Sequence, residues 1–259
     1  MRLDPAAAAA GIRLSAHDTL ASTNTEALAR ARDADNGPLW VTARQQTAGR
    51  GRRGNEWVST PGNLYATLLV SDPAAAEDAP QLSFVAGLAA YDAIVACAPE
   101  LRAGLALKWP NDVLHRMQKL AGILIESDTI GSRLAIAIGI GVNCMHHPVA
   151  TAYPATDIAS AGTTVTAEDL FMALSAAMLR RLEQWQRGEN FAAIRAAWLE
   201  RSIGIGGDMR VRLPEREFSG RCEALDERGR LLLRLPNGSV QVIAAGDVFP
   251  VAAAGRSAR

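Results

Sequence analysis

Three arginines and three glycines fall within six residues, Gly49-Arg50-Gly51-Arg52-Arg53-Gly54. Glycines let a backbone approach a ligand closely. Successive amides can form an anion-binding nest, and guanidinium groups match carboxylate and phosphate oxygens. The combination suits a place where a carboxylate meets a phosphate. It also reads as a solvated basic loop or a nucleic-acid contact, and the loop alone does not separate these readings. The spacing matches G-x-G-x-x-G, and Asp72 sits near the offset of a ribose-binding acid. That fingerprint must close a strand and open a helix. Here Trp57, Pro61 and Gly62 follow and lead into a strand, so the dinucleotide reading fails. No Gly-Lys-Ser/Thr follows either, which excludes a Walker A loop.

Two further polar clusters lie downstream. Lys108-Trp109-Pro110-Asn111-Asp112 is a strand end followed by a tight turn. Turn chemistry explains Pro-Asn-Asp by itself. The functional reading is a rigid turn that presents an amide and a carboxylate to a nucleotide or its Mg2+. Lys119 opens an apolar run, Leu120 to Glu126, interrupted at Gly122. A lysine there ordinarily snorkels to solvent. Pointing into a cleft, it could bridge a carboxylate and an α-phosphate, and Gly122 would permit close ligand approach. Ser22-Thr23-Asn24 is accounted for by helix capping, although a cap also presents hydroxyls and an amide. His17, His115, His146 and His147 have no metal-ligand spacing, and no Ser/His/Asp nucleophile pattern is recognisable.

These residues need elements to hold them. Residues 1–12 read as a mobile tail. Thr23-Asn24-Thr25-Glu26 has the form of a capping box opening a helix to about Arg32. Strands are expected at 39–42 and 63–71, around a long polar loop at 44–63, and a loop of that length is usually functional. A helix follows at 78–98, then strands at 106–108, 113–115, 120–126 and 133–142. Thr166 caps a helix whose stripe is Phe171, Leu174, Met178, Leu182 and Trp185, and a second helix covers 190–202. After Gly204, Gly206 and Gly207 only short strands are expected, at 209–213, 218–225, 231–235 and 240–244, with Asn237-Gly238 as a hairpin turn. This resembles a small β-barrel appended to an α+β domain.

The chain has 259 residues, enough for one large domain with a small one beside it. Lys plus Arg and Asp plus Glu are both 27, so 27 − 27 leaves no net charge. A dedicated nucleic-acid binder usually carries a basic excess. Cys97, Cys144 and Cys222 are odd in number and far apart. They suggest neither a disulfide framework nor a zinc site, and a reducing, cytoplasmic compartment fits best. The alanine-rich start lacks signal-peptide features. The longest apolar candidate, 84–98, is interrupted by Asp92 and falls short of the ~18 residues needed to cross a bilayer.

Taken together, Ser22-Thr23-Asn24, Gln46 to Gly54 with Trp57, Lys108 to Asp112, Lys119 to Leu124 and Gly139-Ile140-Gly141-Val142-Asn143 resemble the biotin protein ligases, in that family's order. The resemblance implies a mixed-sheet α+β catalytic domain at 13–204, a small SH3-like β-barrel at 205–253 and a tail at 254–259. It implies biotin as substrate and ATP with Mg2+ as co-substrate, with no tightly bound prosthetic group and no metal held by protein ligands. The acceptor would be a lysine of the biotin carboxyl carrier domain of acetyl-CoA carboxylase. In residue terms, Ser22, Thr23, Asn24 and Gln46 would recognise the ureido ring. Arg50, Gly51 and Arg52 would meet the biotin carboxylate and the AMP phosphate. Lys119 would hold both reacting oxyanions, beside Gly122. Trp57 would pack on adenine, and Asn111 and Asp112 would lie near the nucleotide. Lys119 and Arg52 are the catalytic candidates, and the 49–57 loop is expected to be mobile until ligand binds.

Many members carry an N-terminal helix-turn-helix domain. Only 21 residues precede Ser22, so a ligase that binds neither DNA nor membrane is expected. Whether two copies pair as a homodimer stays open, as does the role of Arg53. A lipoate or octanoyl ligase or transferase is the alternative within the same class. An RNA-binding β-barrel at 208–250 is disfavoured, because seven arginines there are cancelled by seven acids and few aromatics are present for stacking.

Overall fold

The computed structural model describes residues 1–149, 151 and 153–250, the last without its side chain. Seven strands form a mixed sheet: β1 (Arg13–Leu20), β2 (Leu39–Gln46), β3 (Leu64–Ser71), β4 (Leu105–Lys108), β5 (Asp112–His115), β6 (Gln118–Ile130) and β7 (Arg133–Val142). Their order is β1-β2-β3-β7-β6-β5-β4. Only β1 and β2 run parallel, joined across one face by α2 (Thr23–Arg32), and every other pairing is antiparallel. Helices α3 (Leu82–Cys97), α4 (Ala167–Trp185) and α5 (Phe191–Leu199) pack together on the opposite face.

The sequence of β7, Arg-Leu-Ala-Ile-Ala-Ile-Gly-Ile-Gly-Val, dictates what each face can hold. Side chains alternate across a strand. Ile136, Ile138, Ile140 and Val142 therefore enter the main core with α3 and α4. The other face carries Arg133, whose guanidinium donates to Ala31 O of α2, and then only small residues, Ala135, Ala137, Gly139 and Gly141. The two alanines pack under Ala27, Leu28 and Ala31 of α2. Towards the start of α2 the small residues become glycines, Gly139 lying under Asn24 of the first helical turn and Gly141 under Trp57 of the loop. β3 follows the same alternation. Leu64, Ala66 and Leu68 face the core, whereas Tyr65 and Thr67 face the side of α2.

α3 has no polar stripe because it is covered on nearly all sides. The run Ala76–Cys97 is long and apolar enough to cross a membrane by length and composition, and most of it is buried inside this fold. Asp92, the one charge within α3, is paired with Arg181 of α4 at 2.7 Å.

The small domain holds β8 (Asp208–Arg212), β9 (Glu217–Leu225), β10 (Leu231–Arg234), β11 (Val240–Ile243) and β12 (Asp247–Pro250). They pair antiparallel in the order β11-β10-β9-β8-β12. No pairing of β11 with β12 closes this sheet into a complete barrel among the described residues. Its core residues Val211, Cys222, Leu231 and Val248 belong to the same apolar cluster as the large domain. Trp109 Nε1 donates to Gly229 O at 2.9 Å and Arg195 Nη1 to Leu225 O at 2.8 Å, which ties the two parts together. The three cysteines are free, and burial pushes the Cys144 thiol up to about 12 and Cys222 to about 11.

Four expectations need correction. The supposed tail at 1–12 contains α1 (Pro5–Ala9), opened by Asp4 as N-cap and proline in the first turn. Ala7 is wholly buried, and Asp4 N donates to Ser175 Oγ of α4 at 3.0 Å. Next, β1 had no strand signal because Arg-Leu-Ser-Ala-His-Asp-Thr-Leu is a half-exposed edge strand with few apolar positions. At α2 the N-cap is Ser22, not Thr23, and no side chain caps the helix. Lastly, β12 was not foreseen, and the expected tail at 254–259 lies outside the described residues.

Candidate functional site

Where α2 begins, the glycines of β6 and β7 make a floor. Gly122 and Gly141 face each other across the β6–β7 ladder, and Gly139 faces Leu124. A Cβ at Gly139 would lie 2.3 Å from Asn24 Oδ1, and one at Gly141 would lie 2.6 Å from the Trp57 ring. At Gly122 the nearest atoms would be Trp57 Cζ3 at 2.9 Å and Lys119 Cε at 3.1 Å. The bare backbone thus lets Asn24 and the Trp57 indole lie directly on the strands.

One wall is a polar chain. Gln46 Oε1 accepts from Thr23 N at 2.8 Å and Thr23 Oγ1 at 3.1 Å, while Gln46 Nε2 donates to Ser59 Oγ at 2.9 Å. The Thr67 hydroxyl donates to Asn24 Oδ1 at 2.6 Å. Asn24 Nδ2 donates to Glu126 Oε2 at 2.8 Å. Ser22, Thr23 and Asn24 are all buried. Each helix-start residue faces the pocket because Thr23 and Asn24 spend their side chains on Gln46 and Thr67 instead of on capping.

The arginine loop folds over this floor as a small hairpin. Gly51 N donates to Asn55 O at 2.7 Å, Trp57 N donates to Gly49 O at 3.0 Å, and Arg50 bridges Glu56. Gly49 is required there, since a Cβ would come 2.3 Å from Trp57 O. The Gly51 amide is therefore occupied and does not complete an open anion nest. Arg50 is also engaged: its Nη2 meets Glu126 at 2.8 and 3.0 Å, and its Nη1 donates to Thr25 Oγ1 at 2.9 Å. Arg52 reaches Asn111 Oδ1 at 3.2 Å and Gly246 O at 3.4 Å, with no carboxylate in contact. Burial lowers its pKa, partly offset by Asp247 and Asp112. A desolvated guanidinium with neutral partners retains its charge for an incoming anion.

At the far end Lys108 and Asp112, on either side of the β4–β5 turn, form a charged trio with Lys119 of β6. Asp112 Oδ1 lies 2.7 Å from Lys119 Nζ, and Asp112 Oδ2 lies 3.0 Å from Lys108 Nζ. Burial pushes the Asp112 pKa up, but the two ammonium groups outweigh it and hold the carboxyl below its usual range. Two cations around one carboxylate leave a net positive charge. Lys108 also stacks over Tyr153, 4.0 Å from the ring centroid. Asn111 Nδ2 donates to Ile123 O at 2.7 Å, fixing the turn against β6.

A single cavity of about 130 Å³ collects Ser22, Thr23, Asn24, Gln46, Arg50, Gly51, Arg52, Trp57, Asn111, Asp112, Lys119 and Gly122 on its lining. A second cavity of about 430 Å³ adjoins it and shares Arg52, Trp57, Asn111, Asp112 and Lys119. Sequence reasoning missed Gly139 and Gly141 as floor residues, although their spacing of two puts them on one strand face. It also missed Thr67, Glu126 and Lys108, and above all Asp247, which arrives from the small domain. Among the described residues no group of three or more His, Cys, Asp or Glu is arranged to hold a metal ion. His147 instead pairs with the buried Asp157, Nδ1 to Oδ2 at 2.6 Å.

Residues 17–143 match the biotin/lipoate A/B protein ligase family, and residues 205–249 match the biotin protein ligase C-terminal domain. A biotin–[acetyl-CoA-carboxylase] ligase of Paracoccus denitrificans is 44% identical over 236 residues, covering 88% of this chain and 96% of that one. Another from Mycobacterium tuberculosis is 36% identical over 238 residues, covering 88% and 85%. In fold, the chain is similar to the biotin protein ligase of Aquifex aeolicus solved with biotin and ATP. The TM-score is 0.77 at 22% identity, covering 92% of this chain and 99% of that one.

Proposed function

The chain belongs to the biotin/lipoate A/B protein ligase family, and from that membership and the site we infer that it is an ATP-dependent biotin–[acetyl-CoA-carboxylase] ligase. It forms biotinyl-5'-AMP from biotin and ATP, then transfers the biotinyl group to a lysine of the carboxylase's carrier domain. The observation that carries this reading is one cavity with a glycine floor, a wall of Thr23, Asn24 and Gln46 at one end, and at the other a net positive end made of Arg52 and the Lys108–Asp112–Lys119 trio.

The arrangement suits the chemistry. A fused cyclic urea offers N–H donors and a carbonyl acceptor, which Thr23, Asn24 and Gln46 complement without burying a charge. The acyl chain lies along Gly122, Gly139 and Gly141, so its carboxylate emerges between Arg52 and Lys119. A carboxylate attacking the α-phosphate of ATP brings two anions together, and the barrier falls when fixed cations neutralise them and hold them in line. Arg52 and Lys119 do this. Lys108 and Asp112 fix the Lys119 ammonium, and Asn111 and Asp112 border the nucleotide. The Asp112 carboxylate is already engaged by two lysines and Glu126 by Arg50, so these acids suit magnesium arriving on ATP better than a resident ion.

In the second step the neutral amine of the acceptor attacks the mixed-anhydride carbonyl and AMP leaves. Water must be kept out until then, a task for the 47–63 loop. The Trp57 indole now lies on the ground the acyl chain would take. Biotin therefore moves it off the floor, towards the adenine side. A lipoate-type substrate lacks the urea and would leave the Gln46–Thr23 wall unmatched. Pyrophosphate exchange with ATP should depend on biotin and proceed poorly with lipoate, and lipoate-dependent exchange without biotin-dependent exchange would overturn this reading.

A further inference from the structure

Three consecutive residues of the small domain each meet a different cation of the large one. Gly246 O accepts from Arg52 at 3.4 Å, the Asp247 carboxylate and Arg212 O accept from Arg53 at 3.2 and 2.9 Å, and Val248 O accepts from Lys108 at 3.4 Å. We propose that Gly246–Val248 is a positioning wall of the active site, with Arg53 and Asp247 as the clasp that holds the arginine loop against it. The proposal rests on the ligase reading for its chemistry, but the clasp itself is a statement about the loop.

The pattern of partners favours positioning over neutralisation. Arg52 faces the cavities and meets neutral carbonyls, which orient a cation and leave its charge available, while Lys108, already paired with Asp112, takes the Val248 carbonyl as a second, neutral partner. Arg53 points away from the reacting end and meets the carboxylate. Arg53 also adopts a left-handed backbone, φ 56°, which a non-glycine residue avoids unless its surroundings hold it there. The clasp is not needed to attach the small domain. Trp109–Gly229, Arg195–Leu225 and the shared apolar core do that elsewhere. What the clasp adds is the position of Arg52, its neighbour in the chain.

Charge reversal tests this in the full-length protein. Asp247→Arg and Arg53→Asp should each lower kcat for biotin-dependent pyrophosphate exchange by roughly fivefold to tenfold, the range of a partly exposed ion pair that also orients a neighbour. Biotin affinity without ATP should stay within about twofold, because the clasp does not touch the polar wall or floor. The double reversal should recover most of kcat. Subtilisin should cut the 49–57 loop faster in each single variant and at the parental rate in the double. Single variants with full kcat and parental cleavage, or a double variant no better than the singles, would overturn the clasp. A parent enzyme with no biotin-dependent exchange would sink the ligase reading instead, and the subtilisin comparison would then decide the clasp alone.

Discussion

The glycine floor and the arginine loop meet in one cavity but are specified differently. The floor is shaped by backbone: Gly122, Gly139 and Gly141 lie in the middle of continuous β6–β7 pairing. The loop is shaped by side chains thrown to four separate places. Arg50 goes to Glu126 and Thr25, Arg52 to Asn111 and Gly246, and Arg53 to Arg212 and Asp247. Ladder hydrogen bonds form a cooperative unit, whereas half-exposed ion pairs contribute only about 0–1 kcal/mol each. The floor therefore suits recognition, which needs a constant shape. The loop suits a step that must open and close.

The contrast is sharpened most by Lys119, which grows from the floor strand but works at the loop end. Lys119→Ala should cut biotinyl-adenylate formation by about 10²–10³-fold, the scale of losing a fixed charge at a developing anion. The fold should persist with a lowered melting temperature, since Asp112 loses one of its two cations, and near-normal exchange would remove Lys119 from the machinery. Next in size, Gly139→Ala should weaken biotin binding by roughly tenfold to a hundredfold, since overpacking a strand that cannot yield costs about 1–3 kcal/mol. Calorimetry without ATP reads this, and unchanged affinity would mean that the floor is not the acyl site. The smallest effect is on acid stability. The folded pKa of Asp112 lies below its unfolded value, so its stabilising share is complete above about pH 4 and is lost as pH falls through the folded value. Asp112→Asn should flatten that part of the melting curve below about pH 4, and an unaltered acid limb would count against the trio.

Local pattern made the strands of the floor legible but not Gly139 and Gly141 as its surface, and the wall residues Ser22, Thr23, Asn24 and Gln46 came from the family resemblance. Strand positions around Lys119, Gly122, Gly139 and Gly141 followed from apolar runs broken by glycine, and the β4–β5 turn from Pro-Asn-Asp. The edge strand β1 was hidden because half-exposed edges carry few apolar residues. The capping box points to Thr23 as the cap because cap preference is local, while the claim of Gln46 on Thr23 is tertiary. Arg50 was expected on the ligand side. Its pairing with Glu126, 76 positions later, is invisible to spacing rules. Asp247 is further away still, and no periodicity links it to Arg53. The loop announced its chemistry by composition and concealed its mechanics.

The placement of Trp57 gives the molecule an optical property. The chain has five tryptophans. Trp40, Trp109, Trp185 and Trp198 are sealed in the interior, with Trp109 and Trp185 hydrogen-bonded to Gly229 and Gln81. Trp57 rests on the glycine floor of the site, with its indole nitrogen buried and unpartnered and the Lys119 ammonium 5.4 Å from its ring centroid, and Trp109 lines the adjoining cavity. Emission from Trp40, Trp185 and Trp198, which line neither cavity, forms a steady background, and the part of a ligand-induced change in colour or intensity that is lost in Trp57→Phe belongs to the indole on the floor. The enzyme carries its own dye at the one position where occupancy of the site is decided.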